Sequence, residues 1–476
     1  MIEFNQIIFG LSAGEAEASR YPQLIRDGFF DKDNMINELV NGHKHLVLGY
    51  KGSGKSLIGE KLLALANDNH DIFCARYFLA DFPFKQFSKI IPGVSDLNSN
   101  YPLSWSWLLL LLLLNQTQND QEAINKLESS GKEFIDRLKT IGLLPAKDLR
   151  SLVTKSSKTS FKVGCQALGL ERENSADFAN HFAYLVDLLK GILCDLSPAS
   201  KHLLILDGLD DILLGREIQY QSIAALIFEA NRLNQFFQKE NCQYKIVILC
   251  RTDLFEKLPA PNKNKQRRDS AIDIDWYHDT RDPRNSKLVE LANMRAGLSD
   301  PQCTNIFEQY MPKLNEHGKE IIPFLLDHTR HTPRDFIELL NSIKKFATSG
   351  KLSRNDILNG LTDYSKNYFL PEIRDEMVGY VHTELFETFI QVLGSFRDRE
   401  ISIVTLFEKC SNKIDTKEVE KILHALFECS AIGNKFHGVN GGENRYFFRF
   451  RNRNYTYSLG DTVVIHHGLW KAIGII

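Results

Sequence analysis

The sequence has little of what marks a membrane-spanning or exported protein. Its longest apolar run, Trp107 to Leu114, is much shorter than the roughly 20 residues that a membrane-spanning helix needs. We expect that run to form a buried helix. The first residues, Met1 to Asn5, include no basic segment followed by an apolar stretch, so we expect no signal peptide and a cytoplasmic location.

The cysteines also lack the spacing of a metal site. None of the eight forms a C-x-x-C pair, and no cysteine–histidine cluster has zinc-ligand spacing. Because several lie within apolar runs, we expect reduced and largely buried thiols. The eight are Cys74, Cys165, Cys194, Cys242, Cys250, Cys303, Cys410 and Cys429.

The chain has almost no excess charge of either sign. A net charge of −2 over 476 residues gives no global argument for a nucleic-acid or membrane partner, although a local basic patch remains open. Apolar residues make up 43% and charged residues 25%, as in ordinary globular proteins. This length is too great for one core, so we expect two or three domains.

What the sequence does contain is a complete phosphate-binding loop motif. The eight residues that match G-x-x-x-x-G-K-[ST] without a mismatch are Gly49, Tyr50, Lys51, Gly52, Ser53, Gly54, Lys55 and Ser56. The apolar run His45 to Leu48 predicts a strand before the loop, and Leu57 to Ala66 predicts a helix after it. Strand, glycine loop and helix form the context that the motif requires.

The residue types of the loop suit a bound triphosphate. Gly52 and Gly54 let successive main-chain N–H groups point at phosphate oxygens, and the following helix adds its positive end. We expect Lys55 to contact the β- and γ-phosphates and Ser56 to hold Mg²⁺.

A second motif supplies an acid for the metal. Leu203 to Leu206 is a buried-strand pattern that ends in Asp207, as in a Walker B motif. We expect Asp207 to hold Mg²⁺ through water. Asp210 or Asp211 would then orient the attacking water or accept its proton.

Further strands are predicted at Ile72–Ala80, Lys245–Cys250 and Ile272–Trp276, with an amphipathic helix over Ile218–Phe237. The strand Lys245–Cys250 ends in Arg251-Thr252-Asp253. Arg251 and Thr252 are candidate γ-phosphate sensors, and the alternative is that they only cap the strand.

Two polar stretches are predicted to be loops. Lys155–Ser160 lies in a long helical insertion over residues 81–200, for which an interaction surface is expected. Asn262–Arg268 is basic and is expected to be solvated. An alternative makes one of its arginines, or Arg281 or Arg284, a finger that reaches a neighbouring copy's site.

After the core we expect a helical lid over residues 286–375. Within it, Thr332 is a plausible N-cap and Pro333 occupies the first helical position. Arg334 then lies in the first turn, where it can point at a phosphate. The remaining predicted boundaries are 1–44 for a helical lead-in, 45–285 for the ATPase core and 380–476 for a C-terminal domain.

The C-terminal domain has a winged-helix pattern. Short helices, including one that opens with a capping box at Asp415–Glu418, precede a predicted hairpin of Asn434–Val439 and Arg445–Arg453. In its second strand Tyr446, Phe448 and Phe450 would share one face. The opposite face would carry four arginines that could contact nucleic acid, namely Arg445, Arg449, Arg451 and Arg453. The preceding helix carries Glu418, Glu420 and Glu428, so a protein-binding wing stays open.

Together these motifs resemble AAA+/STAND-type P-loop ATPases, a group that includes origin-recognition-like initiators and NACHT-type switches. More narrowly, the chain is similar to bacterial stand-alone ATPases from defence-associated loci, whose closing pattern resembles Val464 to Lys471 here.

The resemblance implies an α/β fold with a five-stranded parallel P-loop (ASCE/AAA+) sheet, a helical lid and a C-terminal winged helix. ATP and Mg²⁺ are the implied cofactors, and Arg334 would be the lid arginine that reports the γ-phosphate. The Walker B acid is followed by Gly208, as in NACHT-like patterns, and the last acid is Asp211 rather than a longer glutamate.

That departure predicts slow hydrolysis, which suits a switch that self-assembles and acts with a separate effector. The alternative is an ATPase that loads or remodels nucleic acid through the wing.

Overall fold

The structure is a computed structural model. It describes residues 2–80, 82–91, 97–167, 175–196, 198–209, 217–259, 262–277, 282–313, 315–316, 319–348, 350–436 and 444–475. The chain forms two compact units, one of Asp31–Ile274 and the other of Met1–Phe30 with Asp275–Ile476.

The helices of the described residues, in chain order, are α1 (Gly14–Arg20), α2 (Pro22–Arg26), α3 (Met35–Asn41), α4 (Lys55–Asp68), α5 (Phe84–Phe87), α6 (Leu97–Thr117), α7 (Gln121–Lys126), α8 (Ser129–Thr140), α9 (Leu149–Ala167), α10 (Ser175–Leu196), α11 (Glu217–Lys239), α12 (Thr252–Lys257), α13 (Lys263–Ser270), α14 (Lys287–Ser299), α15 (Ile306–Gln309), α16 (Ile321–Asp327), α17 (Pro333–Lys344), α18 (Arg354–Tyr364), α19 (Leu370–Met377), α20 (Thr383–Gly394), α21 (Ile403–Cys410), α22 (Thr416–Glu428) and α23 (Trp470–Ile473).

The strands of the same residues are β1 (Leu46–Gly49), β2 (Ile72–Phe78), β3 (Lys201–Asp207), β4 (Tyr244–Arg251), β5 (Ala271–Asp273), β6 (Asn315–Glu316), β7 (Lys319–Glu320), β8 (Glu400–Ile401), β9 (Ile432–Phe436), β10 (Arg445–Phe447) and β11 (Thr462–Ile465). A π-helical turn, Ser365–Phe369, joins α18 to α19.

The unit of Asp31–Ile274 is built on a five-stranded parallel sheet, as the sequence predicts. Its strand order is β2-β3-β4-β1-β5, and all four pairings are parallel. β1 and β3 are both neighbours of β4, so the phosphate-loop strand and the Walker B strand are one strand apart. Since parallel strands all end at the same edge, Gly49, Asp207 and Arg251 finish on one side of the sheet.

The leucine run is buried, as predicted. Leu108 to Leu114 are each at most 1% exposed, because α6 lies in one hydrophobic core with residues of the sheet strands and of α10 and α11. An apolar surface all round a helix requires such cover. Of the helices in the described part of the chain, none is long and apolar enough to cross a bilayer.

Two stretches predicted to be loops are helical. Lys155–Ser160 lies inside α9, where Ser156 is fully buried and its hydroxyl accepts a hydrogen bond from Trp107 Nε1 at 3.2 Å. Most of Asn262–Arg268 lies in α13, where Gln266 Nε2 donates to the Ile227 carbonyl at 3.0 Å. In both cases tertiary contacts outweigh a polar local composition.

The predicted helix over Ile218–Phe237 is confirmed as α11. The predicted strand Ile272–Trp276 is shorter, and β5 starts and ends earlier, at Ala271 and Asp273.

The other unit combines a helical domain with a winged helix. Phe4, Ile7 and Phe9 from the start of the chain lie in its hydrophobic core with residues of α14 and α17. Towards the C-terminus, α20, β8, α21 and α22 precede an antiparallel sheet of order β10-β9-β11-β8. Helix, strand, two helices and a small sheet form the predicted winged-helix topology.

The predicted hairpin is only partly correct. β9 pairs antiparallel with β10, with Phe436 opposite Arg445, and the turn predicted at Asn440–Gly442 lies outside the described residues. β10 ends at Phe447 rather than Arg453. The predicted alternation of faces is wrong, because Phe448 is buried while Tyr446 is 40% exposed. Beyond Phe447 the chain leaves the strand, and the two-residue period no longer applies.

Candidate functional site

The loop between β1 and α4 contains two glycines in the left-handed region of backbone conformation. Gly52 and Gly54 take φ values of 78° and 96°, which residues with a side chain rarely adopt. A Cβ atom added to Gly54 would meet no heavy atom within 4 Å. The glycine therefore leaves open space against the main chain, where a ligand can approach closely.

The loop also folds tightly over the end of β1. The Ser53 amide donates to the Tyr50 carbonyl at 3.1 Å, and a Cβ on Gly49 would collide with the Ser53 hydroxyl. Ser53 is buried, whereas Tyr50 and Lys51 are half-buried. Glycine at position 49 is thus favoured by packing, and glycine at position 54 by its positive φ.

Lys55 occupies the first position of α4. It is 5% exposed, and its Nζ donates to the carbonyl oxygens of Gly49 and Tyr50, both at 3.1 Å. Ser56 follows it in the first turn and is half-buried. The ammonium group and the positive end of the helix therefore lie within one short loop, an arrangement that attracts phosphate.

Asp207, at the end of β3, is held by an arginine from the neighbouring strand. Its Oδ2 accepts from Arg76 Nη2, and its Oδ1 accepts from the Gly208 amide at 2.7 Å. Arg76 Nη1 also donates to Glu60 Oε1 on α4, at 2.5 Å. The side chains of Arg76 and Asp207 are only 3% and 6% exposed. Arg76 thus compensates a buried carboxylate that would be costly to leave unpaired.

The strand-tip residues form a compact ion pair. Arg251 donates to Asp253 through Nε at 2.9 Å and Nη2 at 2.7 Å, a bidentate geometry. Burial raises the pKa of Asp253, but the charge of Arg251 and its hydrogen bonds, with smaller effects of Lys257 and Lys55, bring that pKa below its ordinary value.

Thr252 lies at the first position of α12 and is fully buried. Its hydroxyl has no hydrogen-bond partner among the described residues, and Arg251 makes no side-chain capping bond to α12. Neither side chain therefore makes a helix-capping hydrogen bond to α12 among the described residues.

Several predicted site residues lie outside the described residues, namely Asp210, Asp211 and Arg281.

Two candidates for an arginine finger form ion pairs within the chain. Arg267 pairs with Asp273 at 2.7 Å. Arg284 pairs with Glu320 at 3.0 Å on an exposed surface of the other unit.

Arg334 lies in the first turn of α17, as predicted. Thr332 is the N-cap and accepts from the Asp335 amide at 3.2 Å. The Arg334 side chain is 29% exposed, and its Nε donates to the Ser12 carbonyl at 3.1 Å. It lies in the unit that does not contain the phosphate loop.

A buried charge network that the sequence does not predict lies next to Arg334. Arg330 donates to Asp335 through Nε at 2.9 Å and Nη2 at 3.0 Å, and to Glu376 through Nη1 at 2.8 Å. Burial raises the pKa of Asp335, yet the Arg330 charge and hydrogen bonds lower it to about 2. Tyr368 Oη also donates to Asp335, at 2.9 Å. This network ties α17 to α19 and the π-helical turn.

Three of the four wing arginines have contacts within the chain. Arg449 lies 3.5 Å from Glu428, Arg451 lies 3.9 Å from Asp327, and Arg453 lies 3.6 Å from Asp275. Arg445 is exposed on β10. The four side chains therefore do not form the single basic face that strict alternation predicts.

The residues of the loop and of β3 fit a magnesium-bound triphosphate. Main-chain amides beside Gly54 and the Lys55 ammonium would hold phosphate oxygens. The Ser56 hydroxyl and the Asp207 carboxylate are the hard oxygen donors that Mg²⁺ prefers. Bound there, the ion would neutralise charge on the phosphates, while this chain's own groups position the nucleotide.

Sequence reasoning missed Arg76, Glu60 and Asp253. Arg76 was visible as a basic residue inside an apolar strand pattern, Ile72–Phe78, which usually indicates a buried partner. Asp253 was visible two residues after Arg251. Glu60 looked like an ordinary exposed helix residue, and nothing local distinguished it.

Comparison with known proteins gives limited matches. Residues 286–370 match the family model of the FunZ-associated C-terminal helical domain, a stretch that runs from α14 to the π-helical turn. No curated protein matches the chain. Among solved structures, the chain is similar to Cdc6p from Pyrobaculum aerophilum, with 13% identity over 98% of this chain and 97% of that chain and a TM-score of 0.33. A TM-score that low supports no transfer of fold or function, so the conclusions below rest on the sheet and the motifs.

Proposed function

We propose that the chain is an ATP- and Mg²⁺-binding molecular switch of the AAA+/STAND type that hydrolyses ATP slowly. One observation carries the proposal. The glycine loop has positive φ at Gly52 and Gly54 and Lys55 buried at the start of α4, and Asp207 ends a strand at the same edge of the parallel sheet. Phosphate and metal donors at one edge are what a Mg²⁺–triphosphate requires.

Two ion pairs in the core would make different contacts in the nucleotide-bound and nucleotide-free states of the proposed switch. Asp207 is already paired with Arg76, so this ion pair would have to rearrange if Asp207 held Mg²⁺. The Arg251–Asp253 pair would respond to the γ-phosphate charge, with buried Thr252 beside it. A ligand shifts a conformational equilibrium only through such differences between states.

Arg334 is our candidate for the lid contact. It lies at the start of α17 on a surface that remains partly exposed, and the resemblance assigns a γ-phosphate-reporting arginine to this motif. In this proposal ATP closes the lid, and slow hydrolysis releases it.

The proposed setting is bacterial antiviral defence, where the switch would self-assemble and control a separate effector. Support comes from the resemblance of the motifs to defence-associated ATPases. The helical region 286–370 matches a domain described as FunZ-associated, which is compatible with a regulatory helical module.

The test is the mass of the purified full chain in solution with Mg²⁺-ATP, with Mg²⁺-ADP and without nucleotide. We expect the assembly state with ATP to differ from the other two. A Lys55→Ala variant, which removes the ammonium while leaving the glycine loop, should give the nucleotide-free mass in every condition. Identical masses for the unmodified chain in all three conditions would refute the switch. If the unmodified chain binds neither Mg²⁺-ATP nor Mg²⁺-ADP, the nucleotide site itself is refuted.

The alternative is a DNA-binding ATPase that acts through its winged helix. The winged-helix topology of residues 383–465 and the exposed Arg445 favour it. ATP turnover that rises several-fold with duplex DNA, and that loses this stimulation in Arg445→Glu, would favour this alternative. ATP-dependent co-purification with the product of a neighbouring gene, without DNA stimulation, would favour the switch.

A further inference from the structure

Two cysteines that the nucleotide site does not use lie in contact with each other. Cys194 is in the last turn of α10, and Cys242 lies in the turn between α11 and β4. Their Sγ atoms are 3.0 Å apart. Both thiols are only half-buried, whereas Cys250, Cys303 and Cys410 are buried. Both cysteines are free, as expected, but neither is fully buried.

The surroundings favour one thiol as the nucleophile. The hydrogen bond between the two thiols lowers the pKa of Cys242, although burial and the charge of Glu240 oppose that effect. The thiol hydrogen bond and burial raise the pKa of Cys194. Cys242 is thus the group that ionises first, and Cys194 is the adjacent thiol that resolves. Low pKa, partial exposure and a neighbouring thiol are what a reversibly oxidised cysteine requires.

We propose that Cys194 and Cys242 are a modification site, where a peroxide converts the two thiols into a reversible intramolecular disulfide. The Cys242 thiolate attacks one peroxide oxygen, and the O–O bond breaks. The departing hydroxide takes up a proton to form water and leaves a sulfenic acid on Cys242. The Cys194 sulfur then attacks the Cys242 sulfur and displaces hydroxide, which takes the Cys194 proton as a second water. Two thiols are oxidised, and one peroxide is reduced.

The disulfide would join two segments that enter neighbouring strands. Cys194 precedes β3 and Cys242 precedes β4, and the His202 amide of β3 donates to the Gln243 carbonyl at 2.8 Å. Asp207 and Arg251 lie at the opposite ends of those strands, which at 3.3 Å per residue is roughly 20 Å away. The bond would therefore anchor the helical insertion to the sheet without touching the phosphate loop.

The proposed disulfide would raise the thermal stability of the protein by a measurable amount. It would close a loop between cysteines 48 positions apart, which restricts the unfolded chain. For a unit of this size we expect the thermal unfolding midpoint to rise by about 5–10 °C, and the rise should disappear in a thiol reductant. Nucleotide affinity should stay within about twofold, since the bond lies at the far edge of the sheet.

The experiment treats the reduced full chain with stoichiometric hydrogen peroxide and counts the remaining thiols. We expect loss of two of the eight thiols, a mass lower by two hydrogen atoms and a linked peptide pair that contains Cys194 and Cys242. Cys194→Ser and Cys242→Ser should each abolish the link and the midpoint shift. Cys74→Ser is the matched control, because Cys74 is half-buried but burial raises its pKa to about 12, and it should leave both unchanged.

Three outcomes would overturn the proposal. These are retention of both thiols, a link through another cysteine or between chains, and direct conversion to sulfinic acid. If one serine variant fails to fold, the other variant and the peptide map of the unmodified chain still decide the question. None of these readouts depends on ATP binding, so failure here leaves the proposed switch untouched.

Discussion

At the scale of single residues, Arg76 determines the charge balance of the candidate metal site. It comes from an edge strand of the sheet and contacts both the acid that ends β3 and Glu60 on the phosphate-loop helix. A cation fixed between two carboxylates compensates their buried charge and positions Asp207. In the proposed function, Mg²⁺ would have to displace or share this ion pair.

We expect Arg76→Met to destabilise the protein by about 3 kcal/mol or more, because it leaves the buried Asp207 carboxylate without its partner. The measurement is urea unfolding of the full chain. Saturating Mg²⁺-ATP should recover part of the loss if the metal takes over compensation of Asp207.

Arg267→Met is the matched control for Arg76→Met. Arg267 pairs with Asp273 in the same unit, but those side chains are 22% and 36% exposed, so its loss should stay below about 1 kcal/mol. Equal losses for the two variants would show that the Arg76–Asp207 pair is not a buried, energetically distinct pair.

At the scale of elements, the segment from His466 to Ile473 fastens the winged helix to the helical domain. The Ser365 hydroxyl donates to the Gly468 carbonyl at 2.6 Å, and it accepts from the Ala472 amide at 2.9 Å. Trp470 Nε1 donates to the Ile465 carbonyl at 3.0 Å. The closing sequence pattern is thus explained by packing on the π-helical turn Ser365–Phe369.

We expect Gly468→Ala to destabilise this unit by about 1–3 kcal/mol. Its Cβ would lie 2.8 Å from both the His328 carbonyl and the Phe369 ring, so one of them must move. Gly297→Ala is the control, because its Cβ would only make an ordinary contact at 3.5 Å with the Cys303 carbonyl, and alanine suits a helix interior. Thermal unfolding of both variants compares them. A midpoint for Gly468→Ala equal to that of Gly297→Ala would contradict the tight contact.

At the scale of the whole molecule, buried histidines make stability depend on pH. Burial lowers the pKa of His45, His328 and His331 to about 4 and that of His467 to about 2. Each is neutral when folded and takes up a proton on unfolding below its ordinary pKa of 6.5. Protons therefore favour the unfolded chain. Stability should be full above about pH 6.5 and should fall as the pH drops towards 4.

Thermal unfolding between pH 7.5 and 4.5 measures this effect, and we expect the midpoint to fall steadily below about pH 6.5. His331→Asn removes one titrating group while tolerating its left-handed φ of 52°, and it should make the fall less steep. His70→Asn, at an exposed position, should leave the slope unchanged. A midpoint that is flat from pH 7 to 5 would contradict the buried, neutral histidines.

The sequence by itself determined the phosphate loop, the strand that ends in Asp207, the other core strands to within a few residues and the winged-helix order. These depend on glycine spacing and apolar runs, which act between near neighbours in the chain. Only the tertiary structure decided that Lys155–Ser160 and most of Asn262–Arg268 are helical, since Ser156 and Gln266 find their partners elsewhere in the fold. It alone paired Arg76 with Asp207, 131 positions away, and Cys194 with Cys242, 48 positions away. Such pairs are set by which strands and helices become neighbours, and no local pattern records that.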